Sequence, residues 1–236
     1  MKSLLENTAL KQQILSRITE QGMLPLFYHA DPERSLKIIE ILFRAGCQTI
    51  EYTNRGPEAF ENFSYLHKQI QTLCPGLSLG IGTVKTAGEA RAFISAGADF
   101  VICPVVNSDV ANECGDANVL WIPGCLTPTE VFEAEKHQAS FVKIFPAQVV
   151  GAGYIGAIRE LFPQIQFMPT GGVEISPENL NAWFAVGVSA VGMGSKLISK
   201  EVLNGQDLNI LHDRAVEALK LVAEVRNSPR WAQVRV

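Results

Sequence analysis

What most constrains this chain is a unit that recurs. A short β-rich run, a turn and a stretch of helical period follow one another eight times. The runs are 23–29 (MLPLFYH), 49–54 (TIEYTN), 77–84 (LSLGIGTV), 100–106 (FVICPVV), 119–125 (VLWIPGC), 141–147 (FVKIFPA), 166–173 (QFMPTGGV) and 190–196 (AVGMGSK). Their starts lie 19–28 residues apart, the spacing of β–α–β units with parallel strands. Eight such units make a (β/α)₈ barrel, the α/β fold class expected here. A doubly wound open sheet would need fewer strands and usually a Gly-rich first turn, and no G-x-G-x-x-G follows the first run.

Helix punctuation agrees with this count. Asp31-Pro32, Thr86, Thr127-Pro128 and Ser176-Pro177 each stand where a helix starts. Their oxygens suit the free amide groups of a first turn, and proline suits its first position. Gly46, Gly97 and Gly187 close helical stretches, where the chain must turn left-handed. Residues 1–22 read as an amphipathic helix, with Leu4, Leu5, Leu10, Ile14, Leu15 and Ile18 on one side, and not as a secretory leader. A last helix over 207–227 would close the barrel, leaving a tail at 226–236. No linker or low-complexity stretch interrupts the pattern, so residues 1–236 read as one domain.

Composition narrows the function. The net charge is −4 with no basic patch, which argues against a nucleic-acid or anionic-membrane partner. Apolar runs are too short for a membrane span. The cysteines, Cys47, Cys74, Cys103, Cys114 and Cys125, are odd in number and form no C-x-x-C, so reduced thiols in a cytoplasm are expected. The four histidines are scattered, so no metal site is expected.

One residue is out of place. Lys143 sits in the middle of an otherwise apolar strand. Alternation sends Val142 and Ile144 toward the helices and Phe141, Lys143 and Phe145 toward the barrel axis. In the second strand, Ile50 and Tyr52 face the helices, so Glu51 and Thr53 face inward. Interior layers are filled by alternate strands, and these are the second and sixth, so Lys143 and Glu51 can share a layer. One reading is a buried salt bridge, whose desolvation its attraction often fails to offset. The other is chemistry, since burial disfavours the charged form of an amine and a neutral amine attacks carbonyls.

Candidate binding groups cluster at strand ends. The seventh and eighth strands end in Gly-rich segments, with Gly171, Gly172, Gly194 and Ser195 as donors to an anion. Barrel enzymes often hold phosphate there, although a glycine pair alone can be only a turn. Lys196 reads as pointing outward at the start of the last helix. Thr83 after the third strand is either a hydroxyl at the barrel mouth or a strand filler. Arg55, four residues after Glu51, is either a fork for a carboxylate or a solvated surface residue.

The segments IEYTNRG, GIGTV, IPGCLTPTE, FVKIFPA and FMPTGGV, in this order, resemble the bacterial 2-keto-3-deoxy-6-phosphogluconate / 4-hydroxy-2-oxoglutarate aldolases. The resemblance runs from about residue 15 to residue 222. It implies a cytoplasmic class I lyase on a (β/α)₈ TIM barrel, needing no cofactor or metal because the electrophile is a covalent imine with Lys143. Glu51 would be the acid/base and Arg55 the carboxylate ligand. Thr83 and Pro104 would contact substrate, and Thr170, Gly171, Gly172, Gly194 and Ser195 would hold phosphate. It implies a 2-keto-3-deoxy sugar acid phosphate as substrate, pyruvate as a product and a homotrimer as the assembly. The chain departs from the family pattern at Gln148, where glutamate is common, at Gly56, where threonine is usual, and in the loop after Pro104. These positions ring the barrel mouth and bear on sugar specificity more than on the reaction. Two other readings keep the scaffold: a sugar-phosphate binder without covalent chemistry, and a phosphosugar isomerase or epimerase.

Overall fold

A computed structural model describes residues 4–205 and 208–227 of the chain. Eight parallel strands carry the fold: β1 (Met23–Phe27), β2 (Thr49–Thr53), β3 (Ser78–Gly82), β4 (Phe100–Ile102), β5 (Leu120–Ile122), β6 (Phe141–Ile144), β7 (Gln166–Pro169) and β8 (Val191–Met193). They alternate with α2 (Pro32–Arg44), α3 (Ala59–Leu73), α4 (Ala87–Ser95), α5 (Ser108–Asp116), α6 (Pro128–Lys136), α7 (Gly151–Arg159), α8 (Pro177–Phe184) and, after the single-turn α9 (Lys200–Asn204), α10 (Asn209–Arg226). The helix α1 (Leu4–Gln21) precedes the first strand. The tail expected at 226–236 lies, from residue 228, outside the described residues.

Pairing runs parallel from β8 through β1, β2, β3 and β4 to β5. The expected fifth strand is interrupted at Pro123. Without an N–H that residue cannot donate to the ladder, yet its carbonyl accepts from the Lys143 amide at 2.9 Å. The strand resumes at Gly124–Cys125 and pairs with β6, which pairs with β7. The Ser189 amide donates to the Phe167 carbonyl, and Thr170 bridges to Gly192, so β7 meets β8 and the sheet closes on itself.

Local chemistry explains the element ends. Asp31 and Ser176 cap α2 and α8, each accepting an amide from three residues on, with proline at the first turn. Thr86 and Thr127 form reciprocal capping boxes with Glu89 and Glu130 at α4 and α6. Gly46, Gly97 and Gly187 take φ of 107°, 101° and 83°, a region that side chains disfavour.

Side chains sort by parity into two cores. The outward residues, among them Ile50, Tyr52, Val142 and Ile144, pack in one layer against the helices, and α10 lies against both α2 and α8 to complete the ring. The inward residues Leu24, Phe100, Ile102, Leu120, Ile122, Phe141 and Met168 form a second cluster with Ile14 and Ile18 of α1. The N-terminal helix therefore plugs the end of the barrel where the strands start. All five cysteines are free and buried, and burial pushes the Cys103 thiol up to about 12. Among the described residues no helix is long and apolar enough to cross a membrane.

Candidate active site

Alternation along β2 and β6 turns Glu51 and Lys143 into the barrel. Both are shielded from bulk water: Glu51 is 0 % exposed and Lys143 6 %. Lys143 Nζ lies 3.8 Å from Glu51 Oε1, near enough for charges to act and too far for a hydrogen bond. Both carboxylate oxygens of Glu51 lack a hydrogen-bond partner. An orphaned, fully buried carboxylate is costly, and such groups are retained where they act on something that binds. Burial pushes the Glu51 carboxyl above the ordinary carboxylate range, while the nearby charges of Lys143 and Arg55 pull it part of the way back. The two strands thus deliver an amine and a carboxyl group, both water-poor, to one point.

The third strand makes the room. A Cβ at Gly82 would stand 1.7 Å from Glu51 Oε1, and one at Gly80 would stand 2.1 Å from the Phe100 ring. The absence of side chains at these alternate positions admits the carboxylate and, one layer below, the phenyl ring. Sequence reasoning missed this. The signal was two glycines two residues apart on the inward face of a strand.

Beyond Lys143 the chain passes Phe145, whose ring centroid is 5.3 Å from Lys143 Nζ, and a cis Phe145–Pro146 peptide. Phe145 also lines a cleft of about 180 Å³, which Lys143 and Glu51 do not line. The cleft gathers Arg55, Thr170, Gly171, Gly172, Gly194 and Ser195, six of the residues singled out in the sequence. Gly171 and Gly172 have φ of 97° and 72°, and a Cβ on either would strike Gln148. Thr170 Oγ1 is buried without a partner, and Gly192 leaves the space in which it sits. The Arg55 guanidinium has no hydrogen bond or ion pair among the described residues.

Two expectations sit apart from the cleft. Thr83 follows β3 at the same end of the barrel with φ of 64°, a strained backbone for a β-branched residue and of a kind that clusters at functional sites. Pro104 follows β4, its carbonyl 2.4 Å from where a Gly124 Cβ would be. Neither lines the cleft. One expectation is corrected. Lys196 does not open the last helix, because α9 and a connection intervene before α10. It lies in the turn after β8, lines the cleft and pairs with Glu174 at 2.7 Å. The Gly56 departure also has a physical reason: a Cβ there would lie 1.9 Å from the Tyr28 hydroxyl, which donates to Glu58.

The arrangement joins a buried amine–carboxyl pair to an anion-friendly cleft through one aromatic ring. Among the described residues no cluster of His, Cys, Asp and Glu could hold a metal ion.

Comparison with known proteins points the same way. The family model for KDPG and KHG aldolase matches residues 14–213. The 2-dehydro-3-deoxy-phosphogluconate aldolase of Pseudomonas aeruginosa is 31 % identical over 193 residues, covering 81 % of this chain and 84 % of that protein. A probable 2-dehydro-3-deoxy-6-phosphogalactonate aldolase of Rhizobium meliloti is 27 % identical over 201 residues, covering 85 % and 91 %. The crystal structure of the Legionella pneumophila KDPG aldolase, with pyruvate captured as a covalent carbinolamine, superposes with a TM-score of 0.78 at 25 % identity, covering 86 % and 96 %.

Proposed function

The chain belongs to the KDPG and KHG aldolase family, and from that premise we propose that it cleaves a 2-keto-3-deoxy-6-phosphosugar acid to pyruvate and glyceraldehyde 3-phosphate through an imine on Lys143. The observation that carries this is the Lys143–Glu51 pair: 3.8 Å apart, buried, with both carboxylate oxygens unpartnered.

The steps follow from what each group does. Lys143 Nζ adds to the C2 ketone, giving a carbinolamine that loses water to an iminium ion. Glu51, ionised, takes the C4 hydroxyl proton. The C3–C4 bond breaks, its electron pair moves into the C2–C3 enamine, and glyceraldehyde 3-phosphate leaves. Glu51, now protonated, returns the proton to C3, and water hydrolyses the iminium to free pyruvate and the amine. A carboxyl whose proton affinity burial has raised suits both halves of that cycle. Arg55 offers a two-donor fork to a substrate anion, Thr83 and Pro104 border the reacting carbons, and the loops after β7 and β8 hold the phosphate. The phosphate assignment is supported by the paired left-handed glycines and the unpartnered Thr170 hydroxyl in one cleft. Relatives named for the gluconate- and the galactonate-derived substrates both align over most of the chain, so the C4 configuration is the variable to assay.

Borohydride reduction in the presence of pyruvate is expected to add one reduced pyruvate to the peptide bearing Lys143, and Lys143→Ala to abolish both the adduct and pyruvate release. An adduct on another lysine, or turnover insensitive to borohydride, overturns the mechanism. A coupled pyruvate-release assay against both C4 epimers and 4-hydroxy-2-oxoglutarate then ranks the substrates.

A further inference from the structure

The cleft at the ends of β7 and β8 contains a cation that no motif assigns. Lys196 lines it together with Arg55, and these two are the charged residues among its lining. Lys196 Nζ is held 2.7 Å from Glu174 Oε1, and Glu174 stands outside the lining. The backbone around Glu174 is tied down. Its amide donates to Asn179 Oδ1 at 2.9 Å, and Asn179 Nδ2 donates to the Gly172 carbonyl at 3.0 Å. The carboxylate therefore springs from a fixed point, while Lys196 reaches it on a flexible four-carbon stem. Both side chains are about half exposed, and an exposed pair of this kind contributes little to stability. Breaking it to serve a ligand costs little.

Charge decides what that ligand is. A phosphate monoester carries about −1.5 to −2 at neutral pH. Arg55 alone could match at most half of that, and none of it where its fork takes the substrate carboxylate; Lys196 is the other cation lining the cleft. We propose that Lys196 is a specificity-determining residue of this cleft: its ammonium leaves Glu174 for the phosphate ester of the substrate, and Glu174 parks it while the cleft is empty. The proposal rests on the phosphate reading of the cleft given above. It makes Lys196 a binding group for the leaving half of the substrate, remote from the bond that breaks. It makes Glu174 a competitor of the phosphate.

Steady-state kinetics with a phosphorylated substrate and its dephosphorylated counterpart, alongside calorimetric titration with inorganic phosphate, test this. Lys196→Met is expected to raise KM for the phosphorylated substrate about tenfold, the loss of one charged hydrogen bond. Its effect on kcat and on the constants for the dephosphorylated substrate should be much smaller than its effect on that KM, and Lys196→Arg should restore most of the KM. Inorganic phosphate should bind Lys196→Met about tenfold more weakly than wild type, and Glu174→Gln more tightly than wild type. The titration needs no turnover, so it is independent of which sugar acid is cleaved. Equal phosphate affinity in wild type and Lys196→Met overturns the role of Lys196 alone. A wild-type protein that ignores inorganic phosphate overturns the phosphate reading with it.

Discussion

The two ends of the barrel interior are built from the same strands and hold opposite chemistry. Where the strands start, Ile14 and Ile18 of α1 pack against Leu24, Phe100, Leu120 and Phe141 in a dry cluster. Toward the other end, the same inward parity presents Glu51 and Thr170, whose side-chain oxygens are buried and make no hydrogen bond, and the amine of Lys143, 3.8 Å from Glu51. Phe141 and Lys143 are two residues apart on one strand and belong to different halves. The lower half is mostly apolar, with the buried and unpartnered Thr49 hydroxyl as its exception, and exchanges apolar surface for stability. The upper half keeps polar groups unsatisfied, which destabilises the empty protein and leaves them free for substrate.

If that division is real, the halves break differently. Glu51→Gln should lower kcat for aldol cleavage about 10²–10⁴-fold, the worth of positioned acid–base help, and leave the fold intact by circular dichroism. Ile18→Ala, at the opposite end, should lose about 2–5 kcal/mol of stability. At about 2–4 °C per kcal/mol for a chain of this size, its Tm should fall several degrees. Its kcat at a temperature where it is folded should stay near wild type. A large kcat loss in Ile18→Ala would show that the plug tunes the site and does not merely support it.

The second prediction is smaller and of opposite sign. Replacing the buried pair by apolar residues, Lys143→Met with Glu51→Leu, should stabilise the protein by about 1–4 kcal/mol, because desolvation of both groups disappears. The gain should depend on pH. Burial raises Glu51 above the ordinary carboxylate range, so the folded chain holds that proton more tightly than the unfolded chain does. The stability this contributes is present in acid and is lost as pH rises through the folded-state value. The double variant has no such loss, so its Tm advantage should grow as pH rises above the normal carboxylate range. A constant advantage across pH would mean that Glu51 titrates alike in both states.

How far the sequence foretold this follows from range. Strand count, caps and the parity of Lys143 and Glu51 are encoded within a few residues of chain, and the second-and-sixth-strand argument brought the pair together correctly. The contribution of Gly80 and Gly82 was illegible because their reason lies on other strands, in Phe100 and Glu51. Lys196 was misplaced because the single-turn α9 between β8 and α10 left no periodic signal, so the segment between Lys196 and the last helix, itself expected correctly at 207–227, went unread. Pro123, by contrast, was visible and was simply absorbed into a longer run.

Gly80 and Gly82 offer the finest test of the division, since they are neighbours on one face of β3. Alanine at Gly80 would push its Cβ onto the Phe100 ring, and alanine at Gly82 onto Glu51 Oε1. Both overpack, at about 1–3 kcal/mol. In the lower half the strain has nowhere to go, because Phe100 is fully buried among Ile14, Leu120 and Phe141, so Gly80→Ala should appear as a lower Tm with kcat nearly kept. In the upper half the carboxylate has no hydrogen bond to lose when it is displaced, so Gly82→Ala should change Tm less and kcat more. Matched thermal melts and pyruvate-release rates on the two variants decide it. Equal activity losses would mean that the layers are coupled through β3, and that the chemistry at Lys143 depends on the packing beneath it.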